Sequence, residues 1–392
     1  MLKNIDARWL ALIVLCLGDL MIVLDMTVVN VALPSIRTDL GFSETSLVWV
    51  INAYMLAFSG FLLLGGRLGD LFGNRNMFLV GIGLFTAASF VCGIATSQAV
   101  LIVARAAQGL GGAIFSAVAL ALLINLFTES GERAKAMGIF GFVSAGGGAI
   151  GVLVGGVLTG AFDWHWIFLI NIPVGIAVFL LCMYLLPATR GIGAGNLDFA
   201  GAVTVTTSLI LAVYAIVNGN TTGWTSLETL GLLGLSAFLL TLFVYIESRA
   251  HSPLIPLSIF KLGNVVVISI IGILWSVAMF AWFFLSALYL QLVLEYTPME
   301  VGLAFLPSNI IMAVFSIWLS AKIVIRFGLK IPIIVGMGLI GLGLLLFAFA
   351  PVDANFYLHI LPGMILLGLG AGVAFNPVLL AGMSGIPEEE SG

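Results

Sequence analysis

Two charged residues, Asp25 and Arg105, lie within stretches of sequence that are otherwise almost entirely apolar. A charge at the centre of a membrane helix costs roughly 2.5–3.5 kcal/mol on insertion scales, so it normally faces protein or water. Burial favours the protonated form of Asp25, whereas a nearby cation such as Arg105 favours the carboxylate. Either state suits a group that gains and loses a proton. For Arg105 two alternatives stay open, a structural ion pair or snorkelling toward the membrane surface.

Other polar residues lie in the same apolar stretches. Asp19 is six residues before Asp25, or about 240° around a helix, so the two acids do not share a face. We therefore expect a separate partner for Asp19 and rank it below Asp25 as a proton carrier. Four more side chains could line a polar cavity or form hydrogen bonds between helices. They are Asn30, Asn52, Tyr54 and Gln108.

Composition indicates which elements must position these residues. The chain is 61% hydrophobic and 8% charged, with a mean hydropathy of +1.23, whereas soluble domains carry about 25% charged residues. The sequence therefore predicts an all-α polytopic membrane protein. About twelve apolar runs are long enough to cross a bilayer. They lie at roughly 9–32, 46–65, 77–96, 99–127, 136–160, 166–187, 199–218, 228–247, 265–290, 301–321, 331–350 and 357–383.

Basic residues predict the orientation of these spans. With a cytoplasmic N-terminus, twelve of the 14 Lys and Arg residues fall in inside loops, as the positive-inside rule requires. These twelve are Lys3, Arg8, Arg67, Arg75, Arg133, Lys135, Arg190, Arg249, Lys261, Lys322, Arg326 and Lys330. Only Arg37 falls outside, and Arg105 lies within a span. We therefore expect both ends of the chain to be cytoplasmic.

Two short echoes indicate an internal duplication. Phe72-Gly73-Asn74-Arg75 recurs as Phe327-Gly328-Leu329-Lys330 at an offset of 255 residues, and Gly109–Ala113 resembles Gly368–Gly372 at an offset of 259. Each echo occupies the same topological place, which is typical of duplicated transporter bundles. These offsets exceed the length of six spans, so two spans look inserted between the halves.

The predicted organisation follows from this repeat. Residues 1–189 form a six-helix bundle, residues 190–250 form two inserted spans, and residues 251–392 form an incomplete bundle of about four helices. The polar tail Pro387–Gly392 resembles a loop that connects to another helix, so we expect a truncated chain.

Two glycine-rich segments complete the set of candidates. Residues 65–76 combine four glycines with Arg67, Asp70 and Arg75, either as an ordinary tight turn or as a charged gate at the membrane surface. The fifth span carries Gly151, Gly155 and Gly156. Small residues allow close helix packing, and the alternative is a pliable seam along which bundles slide.

These motifs together resemble a known family. Gly66–Asn76 resembles the cytoplasmic motif of the major facilitator superfamily, and Arg105–Gly109 resembles its fourth-helix motif. Leu24–Pro34, with the inserted spans, is similar to the fourteen-span drug:proton antiporter branch. The resemblance implies a major-facilitator two-bundle fold, alternately open to each side, that exports amphipathic compounds in exchange for protons.

The resemblance also implies residue roles. Asp25 and Arg105 would act in proton or substrate coupling. The cytoplasmic gate would consist of Gly66, Asp70, Gly73 and Arg75.

Three positions depart from the family pattern. Val152 follows Gly151 where the antiporter motif has proline, so the sequence supports the prediction of transport more strongly than the prediction of proton antiport. Leu71 replaces a common basic residue in the cytoplasmic motif, and Ile325 occupies the position to which Asp70 would map in the second copy.

The sequence also bears on functional classes other than proton-coupled transport. No Lys follows a Gly, which excludes the phosphate-binding loop of an ATP-driven pump. Gly382-Met383-Ser384-Gly385 resembles an intramembrane serine protease motif, but no histidine is positioned to serve it, so we expect no enzyme. A non-transporting sensor, a scaffold or an inactive fragment remains the alternative. His165, His251 and His359 are isolated, and the three cysteines lie in apolar runs, so no metal or cofactor is expected.

The expected surroundings of the chain follow. We expect a multi-pass protein of the plasma (inner) membrane, monomeric, with no nucleic-acid partner. Its partners would be the lipid bilayer, protons and a small amphipathic substrate.

Overall fold

The computed structural model describes residues 5–187, 198–250 and 263–383, and within these ranges the regular secondary structure is helical. We number the twelve principal helices in chain order. They are α1 Ile5–Leu40, α2 Trp49–Phe72, α3 Asn74–Gly93, α4 Gln98–Leu126, α5 Ser130–Ala161, α6 Asn171–Leu185, α7 Phe199–Thr222, α8 Leu227–Glu247, α9 Gly263–Leu292, α10 Pro298–Val314, α11 Lys330–Ala348 and α12 Leu361–Met383.

Short helical segments extend four of these helices. Glu44–Leu47 precedes α2, Trp166–Leu169 precedes α6, and a π-helical turn Phe356–Ile360 precedes α12. Helix α10 continues through a second π-helical turn, Phe315–Leu319, into Ser320–Phe327. Each predicted apolar run therefore coincides with one principal helix and its extension. Because π-helical turns disturb the regular backbone ladder, they recur where helices bend or serve a functional site.

Ten of the helices in the described ranges are long and apolar enough to cross a membrane. Helix α1 runs eight residues beyond its predicted end and through Pro34. Its continuation is stabilised by packing, because Leu33 and Ile36 are buried, and such contacts outweigh one lost backbone hydrogen bond.

The predicted link at residues 66–76 is much shorter than expected. Helix α2 continues to Phe72, α3 begins at Asn74, and Gly73 alone makes the turn with φ of 90°. Only glycine adopts such a backbone without strain. The preceding Gly65 instead allows close packing on α4, because a Cβ there would lie 3.0 Å from the carbonyl oxygen of Ala113.

The internal duplication is visible in backbone packing. In the first half α3 crosses α4 so closely that a Cβ on Gly81 would lie 2.8 Å from the carbonyl oxygen of Gly111. In the second half α11 crosses α12 so that a Cβ on Gly336 would lie 2.8 Å from the carbonyl oxygen of Gly370. The offsets between these pairs are again 255 and 259 residues, as the short sequence echoes predict.

A second repeated contact joins the neighbouring helices. A side chain at Gly109 of α4 would collide with the Tyr54 carbonyl oxygen of α2, and one at Gly368 of α12 would collide with the Ser308 carbonyl oxygen of α10. The turn glycine is repeated as well, because Gly328 has φ of 71°. The two halves are therefore built on the same backbone contacts.

Helices α7 and α8 pack against each other and beside the first half. Ser208 of α7 donates to the Ser236 carbonyl of α8 at 2.8 Å, and Thr206 donates to the Gly60 carbonyl of α2 at 2.7 Å. The predicted domain boundaries at 189/190 and 250/251 involve residues outside the described ranges. Other residues named from the sequence also lie outside the described ranges: Lys3, Arg190, His251, Lys261, Ser384 and the tail Pro387–Gly392.

Candidate functional site

The centre of the first half contains a buried ion pair. Arg105 of α4 donates from Nη1 to Oδ2 of Asp25 on α1, and the two residues are 1% and 2% exposed. Arg105 also donates from Nε to the Val50 carbonyl oxygen of α2 at 2.9 Å. The predicted pair is thus brought together, and snorkelling to the surface is wrong for Arg105 because its guanidinium is fixed inside the bundle.

Gln108 and Asn171 connect this ion pair to two further helices, α3 and α6. Its Oε1 accepts from Arg105 Nη1 at 2.7 Å, while its Nε2 donates to Asp25 Oδ1 at 2.7 Å and to Ser89 Oγ at 2.8 Å. Asn171 of α6 donates to the same Asp25 oxygen at 3.4 Å. Both carboxylate oxygens of Asp25 therefore accept hydrogen bonds. We call Asp25, Ser89, Arg105, Gln108 and Asn171 the charged network.

Aromatic rings cover the guanidinium of Arg105. Its Cζ lies 4.4 Å from the ring centre of Tyr54 and 5.5 Å from that of Phe168. Cation–π contacts of this kind stabilise a desolvated cation. Tyr54 is fully buried, and its hydroxyl has no hydrogen-bond partner among the described residues. Tyr54 and Gln108, which we predicted as cavity candidates, thus both contact the ion pair directly.

Sequence reasoning missed Ser89 and Asn171. Ser89 is a small polar residue in an apolar run, where it usually bonds its own helix, and Asn171 lies at the start of α6. The only signal was a polar residue at the predicted membrane depth, which many packing positions share.

The other two cavity candidates lie outside the charged network. Asn30 is 6% exposed and donates to the Met26 carbonyl oxygen at 3.1 Å. Its Oδ1 is buried with no partner among the described residues. Asn52 is partly exposed on α2. Asn30 is therefore placed to receive a donor from water or a ligand, since an unpaired buried acceptor is costly.

The second acid of α1 has a different environment. The carboxylate of Asp19 accepts a hydrogen bond from the Ser144 hydroxyl of α5. The Phe140 carbonyl oxygen of its own helix lies 3.1 Å from the Ser144 hydroxyl and is the alternative acceptor for the same hydrogen. As the helical geometry predicts, Asp19 and Asp25 have separate partners on separate neighbouring helices.

The predicted gate residues cluster at the turn between α2 and α3. Asp70 pairs with Arg67 one helical turn away at 3.4 Å, and both side chains are partly exposed. Arg75 of α3 donates to the Met183 carbonyl oxygen near the end of α6. Gly66 lies in α2 and Gly73 forms the turn itself. The Arg75 bond fastens the start of α3 to α6 within the first half.

The glycines of α5 face α1. A Cβ on Gly151 would collide with Thr27 Oγ1, and one on Gly155 would lie 3.0 Å from the Cα of Val28. Gly156 is buried. The opposite face of α5 meets the second half, because a Cβ on Gly302 of α10 would lie 3.1 Å from the carbonyl oxygen of Val152. Val152, the residue in place of the family proline, therefore lies where the two halves meet.

This arrangement of side chains is suited to binding an ion or a polar substrate inside the membrane. A carboxylate, a guanidinium and two amides sit at membrane depth with almost no exposed surface, and such groups normally mark ion or substrate pathways. The repeated bundle places them in one half of a duplicated helical membrane protein. Together the fold and the site define a membrane transporter.

Comparison with known proteins gives the family. The model of the Major Facilitator Superfamily matches residues 15–392, and the chain belongs to that superfamily. It is similar to the puromycin resistance protein pur8 of Streptomyces alboniger, with 40% identity over 98% of this chain and 77% of that protein. It is similar to the multidrug resistance protein Stp of Mycobacterium tuberculosis, with 35% identity over 98% of this chain and 71% of that protein.

A solved structure supports the same fold. The POT family transporter PepTSo superposes with a TM-score of 0.65 at 17% identity, covering 99% of this chain and 85% of that one. The predicted all-α major-facilitator fold and the resemblance to drug-efflux members of the superfamily are therefore confirmed.

Proposed function

We propose that this transporter expels small amphipathic compounds from the cell and that inward proton movement drives the expulsion. The relatives named for puromycin and multidrug resistance support the substrate class. The buried pair of Asp25 and Arg105 is the observation that carries proton coupling. Four principal helices, α1, α2, α4 and α6, are joined at this pair, so its charge state bears directly on how the first half packs.

The proposed cycle turns on the charge of Asp25. In the structure Arg105, Gln108 and Asn171 all donate to this carboxylate. When Asp25 accepts a proton, its charge is lost and the guanidinium loses its counter-ion, so the ion pair weakens. Arg105 keeps its bonds to Val50 and to the Gln108 oxygen. Helix α1 is then released from α4, and loss of the proton on the other side restores the pair.

The energy available is adequate for export. One elementary charge crossing 100 mV is worth about 2.3 kcal/mol, which supports a concentration ratio near fifty-fold per proton. The partners in this cycle are protons, a small amphipathic substrate and the bilayer. The transporter would act as a monomer in the plasma (inner) membrane with both ends in the cytoplasm, as the distribution of Lys and Arg supports.

The remaining site residues take roles in the same scheme. Asn30 and Asn52 would line the cavity, and Gly66, Asp70, Gly73 and Arg75 would gate its cytoplasmic side. The halves 1–189 and 251–392 would move against each other across the contact of α5 with α10, while 190–250 stays beside the first half. Its contacts with α2 support that placement.

Accumulation of a fluorescent cationic dye tests the proposal. Cells that express the protein should retain less dye than cells without it, and a protonophore should remove the difference. Asp25→Asn should remove it as well, because the amide cannot exchange a proton. Asp39→Asn is the matched control on the same helix, since Asp39 accepts from Trp164 Nε1 at 2.9 Å at the far end of α1 and should retain export.

Two results would contradict the proposal. Equal dye retention with and without the protein would favour the sensor or scaffold alternative. Normal pH dependence in Asp25→Asn would show that another group carries the coupling proton.

A further inference from the structure

Asp19 is the one acid at membrane depth in the described first half that the charged network does not use. Its carboxylate accepts a hydrogen bond from Ser144 of α5. Asp19 is mostly enclosed between α1 and α5, whereas the Asp25 side chain is enclosed on all sides. The two acids thus occupy separate interfaces of one helix.

Within the described ranges no basic side chain forms an ion pair with Asp19. The Cys16 thiol of its own helix and the Tyr54 hydroxyl of α2 interact with it electrostatically. On α5 the nearest basic residue is Lys135, nine positions before Ser144 or about 14 Å along the helix. Lys135 lies over the Trp9 ring at 5.0 Å. Arg8 and Glu132, further along, pair with each other at 3.0 Å.

The remaining helices that contact α1 do not supply a counter-ion either. Arg105 of α4 is bound to Asp25. Helix α3 packs on Gly18 through Phe78, and its Arg75 donates to the Met183 carbonyl oxygen. On α2, Arg67 pairs with Asp70 at 3.4 Å. Helix α6 and helix α9 contain no charged residue, and the charge on α10 is Glu300, whose carboxylate accepts hydrogen bonds from Thr297 at the start of that helix. Protonation of Asp19 therefore breaks no ion pair in the described part of the chain.

The partners of the two acids, Arg105 for Asp25 and Ser144 for Asp19, differ in whether they can accept a hydrogen bond from the protonated acid. Arginine only donates, so Arg105 cannot hydrogen-bond the proton of a neutral Asp25. A serine hydroxyl both donates and accepts, so Ser144 can donate to the Asp19 carboxylate and accept from the Asp19 acid. The Asp19–Ser144 pair keeps a hydrogen bond in both protonation states.

From this geometry we propose that Asp19 is a second proton-binding site of the transporter, distinct from Asp25 and linked to α5 through Ser144. The inference rests on the proposed proton-coupled export. Because the opposite face of α5 contacts Gly302 of α10, a proton on Asp19 acts at the interface of α1 with the helix that contacts the second half. Two acids on α1 would thus carry two protons per cycle.

Proton stoichiometry in proteoliposomes tests this inference. The membrane potential is clamped at zero with valinomycin and potassium, and a one-unit pH gradient is imposed. The substrate gradient at which net flux vanishes then changes tenfold for each coupled proton. Asp19→Asn should lower that gradient tenfold relative to the native protein, whereas the matched Asp39→Asn should leave it unchanged. An unchanged gradient in Asp19→Asn would overturn the inference.

Ser144→Ala tests the same site without removing the acid. Hydrogen bonds to charged groups are about twice as strong as neutral ones, so loss of the hydroxyl destabilises the Asp19 carboxylate more than the neutral acid. The pH of half-maximal transport should therefore rise, with stoichiometry unchanged. An unaltered pH profile would count against the site even if Asp19→Asn does not fold. Absence of any pH-driven gradient in the native protein would instead refute the proposed function.

Discussion

The two halves of the molecule share a backbone framework but differ in what they bury at its centre. Glycines bring α3 onto α4 and α11 onto α12 at matching positions. The repeat offset of 259 residues maps Arg105 onto Met364 and Gln108 onto Leu367, and both of these second-half side chains are fully buried and apolar. The offset of 255 residues maps Ser89 onto Leu344, which is also apolar.

This difference separates architecture from chemistry. The same helix crossing forms around a methionine and two leucines in one half and around a charged network in the other. The network is therefore not required for the helices to pack. Buried ion pairs often contribute little net stability compared with apolar residues of similar volume, so the first half retains its charges for a function other than stability.

The largest effect is expected when Arg105 of the first half is replaced by methionine, the residue at the equivalent position of the second half. Arg105→Met leaves Asp25 buried without its cation, and removal of one partner of a buried pair costs about 3–5 kcal/mol. We expect loss of dye export and a much lower thermal unfolding temperature in detergent. Met364→Leu, a swap of similar volume, should cost less than about 1.5 kcal/mol.

A double substitution distinguishes the two effects. Asp25→Leu combined with Arg105→Met should recover much of the lost stability, because no unpaired charge is left, but should not recover export. Recovery of protonophore-sensitive export in the double variant would show that the network is structural.

The shared framework predicts a matched pair of intermediate effects. Gly109→Ala would place a methyl group against the Tyr54 carbonyl, and Gly368→Ala would place one against the Ser308 carbonyl. Overpacking of this kind typically costs about 1–3 kcal/mol. We expect the two variants to lower the unfolding temperature by similar amounts. A loss confined to Gly109→Ala would mean that the second crossing is not equivalent to the first.

Much of this organisation was predictable from residues alone. The twelve helices follow from apolar runs, and the duplication follows from two four- and five-residue echoes. Asp25 and Arg105 could be paired in advance because each is a charge at membrane depth that needs the other. These inferences succeed because the bilayer leaves few ways to satisfy a charge or a backbone group.

The parts that sequence could not give depend on which face of a helix meets which neighbour. Gln108 bridges Asp25 and Ser89 only because α3, α4 and α1 meet at that level, and Asn171 joins from a distant position in the chain. The turn at Gly73 was predicted too long because glycine signals both turns and close packing. Gly65 and Gly69 turn out to serve the second purpose.

The smallest change in stability is expected for Asp70→Asn, a substitution that tests the predicted gate. Asp70 maps onto Ile325, which is 87% exposed and has no charge to offer. Asp70→Asn removes a partly exposed pair with Arg67 at 3.4 Å, and exposed pairs of this kind contribute about 0.2–1 kcal/mol. The unfolding temperature should therefore hardly change. If Asp70 gates the cavity, the initial rate of dye export should nevertheless fall several-fold, while Ile325→Asn leaves both quantities unaltered. Equal initial rates of dye export by Asp70→Asn and the native protein would show that Asp70 is not a gate residue. The functional difference between the two halves would then lie in the charged network alone.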